Sequence, residues 1–293
     1  MGELLCGIAD GVVVPIFAEP PTSLSRASKL LTRSYITGYS QRNDAVPASD
    51  GAMRPEKRLP PFEIRRQLMT KIAILHTSFV FVSVEPVIND LIAELIPDAE
   101  VMHFVDSDVL ATVVRENGIS TRSEARMTHL AQAAEEAGAD IIFSACSSLG
   151  PALDVAAQNV HTPVVKIDEA MAIRAASEGS RIGVLATVPT TLGPTSDLIQ
   201  AHADDLDRSV IIEQRLAEGA FALLMSGDRE QHDRLIIGEA IDLAQRVDLI
   251  VLAQASMSRL APVLEEKAGV PVLSSPRIGV DFLAHRVAEL ANA

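Results

Sequence analysis

The chain has 293 residues, 48% of them hydrophobic, enough apolar material to bury a sizeable core in one large domain or two modest ones. A formal net charge of −14 leaves no positive field to gather nucleic acid or anionic lipid. The most apolar runs, such as 247-VDLIVLAQA-255, fall short of the roughly 20 residues of a bilayer span.

Only Cys6 and Cys146 occur, too few for a disulfide framework or a thiolate metal cluster, so a reducing compartment, the cytoplasm, is expected. Two tyrosines, eight phenylalanines and no tryptophan leave little aromatic surface for stacking bases or sugars. That balance favours a small polar substrate.

Residues 1–68 read differently from the rest. The opening 4-LLCGIADGVVVPIFA-18 is apolar but lacks the basic flank of a secretory signal, and its acidic residues fit a transit peptide poorly. A Pro, Ser and Arg rich stretch runs on to 54-RPEKRLPPFEIRR-66 with no sustained period. The expectation is a disordered or loosely attached extension, with Met69 a natural start for a compact chain and Cys6 incidental.

From Lys71 onward, β-branched and aliphatic runs alternate with helical patterns. The strand-like runs are 71-KIAILHT-77, 139-ADIIFSAC-146, 160-VHTPVVKI-167, 181-RIGVLAT-187, 209-SVIIEQRL-216, 247-VDLIVLAQ-254 and 270-VPVLSS-275. Helical patterns include 122-RSEARMTHLAQAAEEAG-138 and 229-REQHDRLIIGEAIDLAQR-246. Such alternation predicts parallel sheets covered by helices, an α/β fold.

The pattern repeats. Laying 140-DIIFSACSS-148 over 248-DLIVLAQAS-256 matches Asp140 with Asp248, Ala145 with Ala253 and Ser148 with Ser256, at a spacing of 108 residues. Pro163 falls on Pro271 at the same spacing, and 71-KIAILHT-77 falls on 181-RIGVLAT-187 with a two-residue adjustment. The reading is an internal duplication giving two pseudo-symmetric, Rossmann-like lobes with parallel sheets. Lobe 1 is drawn at about 69–178 plus the C-terminal helix, and lobe 2 at about 179–276.

Ligands of open α/β sheets bind beyond the carboxyl ends of the strands, so the active site is expected in the interlobe cleft. There Thr77 and Cys146 of one copy oppose Thr187 and Gln254 of the other. Cys146 is read either as a small buried hydrophobe or as a reactive thiol; its place at a strand end before a helix favours the second, since helix N-termini stabilise thiolates and bound carboxylates.

Over residues 69–293 the sequence resembles the aspartate/glutamate racemase superfamily, which includes amino-acid and hydantoin racemases, maleate isomerases and arylmalonate decarboxylases. In those families each lobe ends a strand with a cysteine motif, Cys-Asn-Thr-like in the first and Gly-Cys-Thr-like or Gly-Cys-Ala-Gly-Met-like in the second. Here the corresponding segments are 145-ACSSLG-150 and 253-AQASM-257. Cys146 therefore occupies the first thiol position, and Gln254 stands where the second would be, a departure that the internal repeat shows independently.

The resemblance implies a cofactor-independent enzyme, a homo-oligomer, and a small carboxylate-bearing substrate. It places substrate-binding positions at Thr77, Ser78, Ser147, Ser148, Thr187, Thr190, Ala255 and Ser256. Two-base inversion of a stereocentre needs a proton carrier on each face, and glutamine is neither acid nor base. A single thiolate can still protonate a carbanion, or remove and return a proton on one face. The expected activity is thus an isomerase or racemase type at an α-carbon, with a decarboxylase of a malonate-like acid, or a binding protein that kept the cleft, as alternatives.

Other positions carry two readings. Ser147 and Ser148 are either helix caps or carboxylate holders. The segment 187-TVPTTLGPTS-196 is either a plain polar loop or a place where Thr187, with Thr190 or Thr191, binds an anion. Asp168 and Glu169 either cap the next helix or supply a second proton carrier. His76 and His161 show no metal-ligand spacing and read as packing or surface residues. No Gly-x-Gly-x-x-Gly, P-loop or nucleophile-elbow motif occurs, and no metal or cofactor is called for.

Overall fold

The computed structural model describes residues 6–9, 12–15, 69–78, 82 and 87–291. The chain forms two compact units, residues 1–59 and 60–293. In the first, β1 (Cys6–Ala9) and β2 (Val12–Pro15) pair as an antiparallel hairpin. The rest of the expected loose extension lies outside the described residues.

The second unit holds two four-stranded parallel sheets. The first contains β3 (Lys71–His76), β4 (Glu100–Val105), β5 (Ile141–Ser144) and β6 (Val164–Lys166) in the order β4-β3-β5-β6. The second contains β7 (Arg181–Ala186), β8 (Ile211–Leu216), β9 (Leu249–Leu252) and β10 (Val272–Ser274) in the order β8-β7-β9-β10. Both sheets therefore run second-first-third-fourth in chain order. Ile72 faces Ile141 in one and Ile182 faces Leu249 in the other.

Helices cover the sheets: α1 (Val87–Leu95), α2 (Val109–Arg115), α3 (Thr121–Glu136), α4 (Gly150–Ala157), α5 (Glu169–Glu178), α6 (Pro189–Asp205), α7 (Ala220–Met225), α8 (Arg229–Ala244), α9 (Ala261–Ala268) and α10 (Ser275–Ala291). The long amphipathic patterns become α3 and α8. Ser120 starts α3 through a reciprocal capping box with Ser123, and Asp228 starts α8 by accepting from the Gln231 amide at 3.1 Å.

Strands β3, β5, β7 and β9 are buried on both faces, as parallel strands between helices must be. Ala73, Leu75 and Ile142 point to a core with Met127, Ala131 and Leu153, while Ile72, Ile74, Ile141 and Phe143 point to the other face. The repeated aspartates have a structural reason. Asp140 accepts from the Lys71 amide at 2.7 Å and Asp248 from the amides of Ser180 and Arg181 at 3.1 to 3.2 Å, satisfying the start of each sheet's central strand.

Two covering helices change sides. Helix α5 follows the last strand of the first sheet, yet Met171, Ala172, Ala175 and Ala176 pack with Ile182, Val184, Val251 and Leu273 of the second. Helix α10 follows the last strand of the second sheet, yet Val280, Leu283 and Val287 pack with Ile72, Ile74, Phe143 and Val165 of the first. Position 178, the sequence boundary of lobe 1, thus lies in a helix that covers the second sheet. The close fit of α10 depends on Gly279, where a Cβ would stand 2.2 Å from the Ile167 carbonyl oxygen.

One segment departs from its loop reading. Of 187-TVPTTLGPTS-196, everything from Pro189 is helical, with Pro194 inside α6. Pro189 sits at the helix start, where proline costs nothing, and burial of Thr191, Thr195, Ser196, Ile199 and Ala203 offsets the bond lost at Pro194.

Candidate active site

Strand register sets the site. In the first sheet Leu75 and Lys166 flank Ser144. Two residues further along each strand, Thr77, Cys146 and Asp168 form a row in that order. In the second sheet Leu185 and Ser274 flank Leu252. There Thr187 and Gln254 stand at the matching strand ends, and the chain after β10 enters α10 at Ser275.

Cys146 and Gln254 share a backbone state. Both are extended, with φ −139° and ψ 109° at Cys146 and φ −141° and ψ 137° at Gln254, and each precedes a 3₁₀ turn, Ser147–Leu149 or Ala255–Leu260. Those turns lead into α4 and α9. The matched positions read from the sequence are therefore matched in geometry, with a thiol on one side and an amide on the other.

Cys146 is half-buried, against the core that contains Leu149 and Leu153. Burial pushes its thiol up, and the charge of Asp168 acts in the same direction. The Thr77 hydroxyl and the amides of Ser148 and Leu149 oppose this by hydrogen bonding that favours the thiolate. Thr77 itself is buried.

Asp168 stands at the start of α5, but its side chain caps nothing there. It is 2% exposed, and Oδ1 has no partner. Burial raises its proton affinity; the Ser147 hydroxyl and Lys166 pull the other way, and Glu169 adds to the rise. The capping reading of Asp168 is therefore corrected. Glu169 is committed elsewhere, 2.8 Å from His202 Nε2 and 3.4 Å from Lys166 Nζ.

The serines do not cap α4 either. The Ser147 hydroxyl favours the Asp168 carboxylate, and Ser148 Oγ lies 3.0 Å from Thr191 Oγ1 in a buried contact between the two lobes. The Ser148 hydroxyl therefore has a partner within the protein, Thr191, besides its expected role in holding a carboxylate. The Ser148–Thr191 bond also brings the strand ends of the two lobes together at the turn that follows Cys146.

Gln254 is fixed through its carbonyl. Oε1 accepts from Thr187 N at 2.5 Å, Thr187 Oγ1 at 3.0 Å and Val188 N at 3.2 Å. Thr187 is thus engaged internally, and its expected anion-binding donors point at Gln254 instead. The Gln254 amide NH₂ makes no hydrogen bond to the described residues and retains both donors. Thr190 Oγ1 is buried without a partner. Ser78, Ala255 and Ser256 are half-buried beside the two rows.

His76 and His161 sit in unlike settings. His76 is buried with its Nε2 3.1 Å from His103 Nδ1, and burial and the neighbouring imidazole lower its pKa to about 4. His161 is a surface residue 3.7 Å from Glu135. Among the described residues no group of three or more His, Cys, Asp or Glu is placed to hold a metal ion, and no helix is long and apolar enough to cross a membrane. A surface concavity of ≈290 Å³ between α1 and β4, lined by Asn89, Ile92 and His103 among others, contains no member of either row.

Two parallel sheets of one strand order, with chemically unlike groups at matched strand ends, define a two-lobed α/β protein of racemase type. The chain belongs to the Asp/Glu/Hydantoin racemase family, whose pattern matches residues 82–283. Its fold is similar to that of glutamate racemase isoform RacE1 from Bacillus anthracis, with TM-score 0.59, 14% identity, and 75% of this chain and 82% of the other covered. It is also similar to allantoin racemase from Klebsiella pneumoniae, with TM-score 0.55, 19% identity, and 75% and 88% covered. Aspartate racemase from Picrophilus torridus follows with TM-score 0.52, 16% identity, and 76% and 94% covered. No protein of curated function matches the chain.

Proposed function

We propose that this protein is a cofactor-independent isomerase of the racemase or epimerase type, acting through Cys146 at the α-carbon of a small carboxylate-bearing substrate. The observation that carries this is the setting of Cys146 at the end of β5. Burial raises its thiol, and a hydroxyl and two amides beside it offset part of that rise, in a chain of the Asp/Glu/Hydantoin racemase family.

In the proposed reaction the Cys146 thiolate removes the proton on the α-carbon, becoming a thiol, and the electron pair of the broken C–H bond is held as an enolate. Return of that proton from sulfur to the same face only exchanges it; inversion is completed when a water molecule protonates the enolate on the opposite face, and the Cys146 thiol then loses its proton to solvent, which restores the thiolate. The free NH₂ of Gln254 donates to the substrate carboxylate or enolate oxygen, where negative charge grows. Thr190, with a buried unpartnered hydroxyl, is a second polar contact for the substrate.

Gln254 also supports a second reading, decarboxylation of a malonate-like acid. Loss of carbon dioxide generates the same enolate without a base, and Cys146 then supplies the single proton required. Proton NMR in deuterated water on amino acids, hydroxy acids, hydantoins and malonates, for the native chain and Cys146→Ala, separates the two. Deuterium uptake at an α-carbon marks the isomerase and carbon dioxide loss the lyase. Turnover that survives Cys146→Ala overturns both.

A further inference from the structure

We propose that Asp168 is the proton partner of Cys146: the two neighbouring groups form one acid–thiol pair that holds a single proton between them. This rests on the assignment of Cys146 above and adds a residue that acts through the thiol, not on the substrate.

Three observations carry it. Asp168 and Cys146 stand side by side, because Ser144 and Lys166 are paired in β5 and β6 and each chain runs two residues further. The charge of Asp168 bears on the Cys146 thiol, and the Ser147 hydroxyl, next to Cys146 in sequence, favours the Asp168 carboxylate. Oδ1 of this 2%-exposed side chain has no partner, although the residue sits where a helix-capping carboxylate would be satisfied.

A buried carboxylate with an unsatisfied oxygen is costly when ionised, and it can shed that cost by taking a proton. The thiol beside it faces the same choice, so two adjacent negative charges are disfavoured and the pair titrates as a unit. Asp168 raises the thiol, as the row geometry requires, and its own proton affinity is raised by burial. The other charges around the pair are largely committed. Lys166 lies 2.8 Å from Asp154 of α4 and 3.4 Å from Glu169, and Glu169 lies 2.8 Å from His202 of α6.

The second lobe has no such pair. After β10 its chain turns into α10 at Ser275, with no acid in the place of Asp168, and Gln254 cannot exchange a proton at neutral pH. Both proton carriers therefore belong to the first lobe. When Cys146 gives the pair's one proton to an enolate, solvent protonates Asp168, and that proton passes to sulfur, which restores the thiol beside the carboxylate.

The test is the pH dependence of Cys146 alkylation by iodoacetamide in the full chain carrying Cys6→Ser, with and without Asp168→Asn. Removing the neighbouring charge should lower the midpoint by about one pH unit, so alkylation at neutral pH rises about tenfold. An unchanged midpoint in a folded Asp168→Asn chain overturns the pairing while leaving the Cys146 assignment to the NMR experiment. A second readout needs no substitution at Asp168. Infrared difference spectra on alkylation of Cys146 should show a neutral carboxyl C=O band changing together with loss of the S–H band. An S–H loss with no carboxyl change overturns the proposal as well.

Discussion

Replacing Gln254 by alanine tests the part of the site most unlike its counterpart. The carbonyl oxygen of Gln254 accepts three hydrogen bonds, two of them from the amides of Thr187 and Val188. Deleting it strands two backbone donors, at about 1–3 kcal/mol each when no water reaches them. Gln254 is only half-buried, so water relieves part of the loss. The expected destabilisation is about 2–3 kcal/mol, roughly a 4–10 °C fall in melting temperature for a unit of this size. Thermal unfolding by circular dichroism measures it. Gln254→Glu retains an acceptor and should lose less than about 1 kcal/mol at neutral pH. If Gln254→Ala melts with the native chain, or Gln254→Glu is the worse of the two, the hydrogen-bonded lock is not what holds this residue.

With proton carriers in the first lobe only, deuterium from solvent should exchange into the starting enantiomer faster than it appears in the inverted one, read by chiral chromatography and NMR; equal rates would contradict the one-sided arrangement. Gly279→Ala forces a Cβ against the Ile167 carbonyl, next to Asp168. It should cost at least about 3 kcal/mol in urea unfolding and alter the Cys146 alkylation profile; a near-native stability would refute the close fit of α10. His76 resists protonation when folded, with its pKa lowered from 6.5 to about 4. Unfolding releases that resistance, so its contribution is present above pH 6.5 and falls away between there and pH 4, by up to about 3 kcal/mol. Urea unfolding of the native chain and His76→Asn across that range should differ in slope; parallel curves would show that His76 is not the group responsible.

The strands of the two sheets were legible because burial on both faces demands continuous aliphatic runs, and 139-ADIIFSAC-146 and 247-VDLIVLAQ-254 leave little else to form. Of the two edge strands without a fully buried residue, β8 still shows the β-branched run 210-VII-212, whereas β4 reads EVMHFV, where Met102 and His103 break the run. The offset of 108 residues placed Cys146 and Gln254 in equivalent backbone states, a result that needs only covalent spacing. What a side chain bonds to is set by partners distant in sequence. Ser147 and Ser148 stand where caps stand, yet one reaches Asp168 and the other Thr191. Asp168 itself carried a usable signal: it lies 22 residues beyond Cys146 at the end of the adjacent strand, a registration that becomes visible once β5 and β6 are paired.

The crossing of α5 and α10 means that neither sheet keeps both of its covers if the chain is cut between them. Residues 69–178 alone would expose the face of β3 and β5 that α10 covers, and α5 would have no sheet to rest on. The halves are hostages to each other, so they should unfold in one transition and fail as separate fragments. The same crossing joins motion to chemistry: Asp168 lies immediately before α5, which is seated on the second sheet, while Cys146 belongs to the first. Any rocking of one lobe against the other pulls directly on the spacing between carboxyl and thiol, and so on how the proton is shared between them.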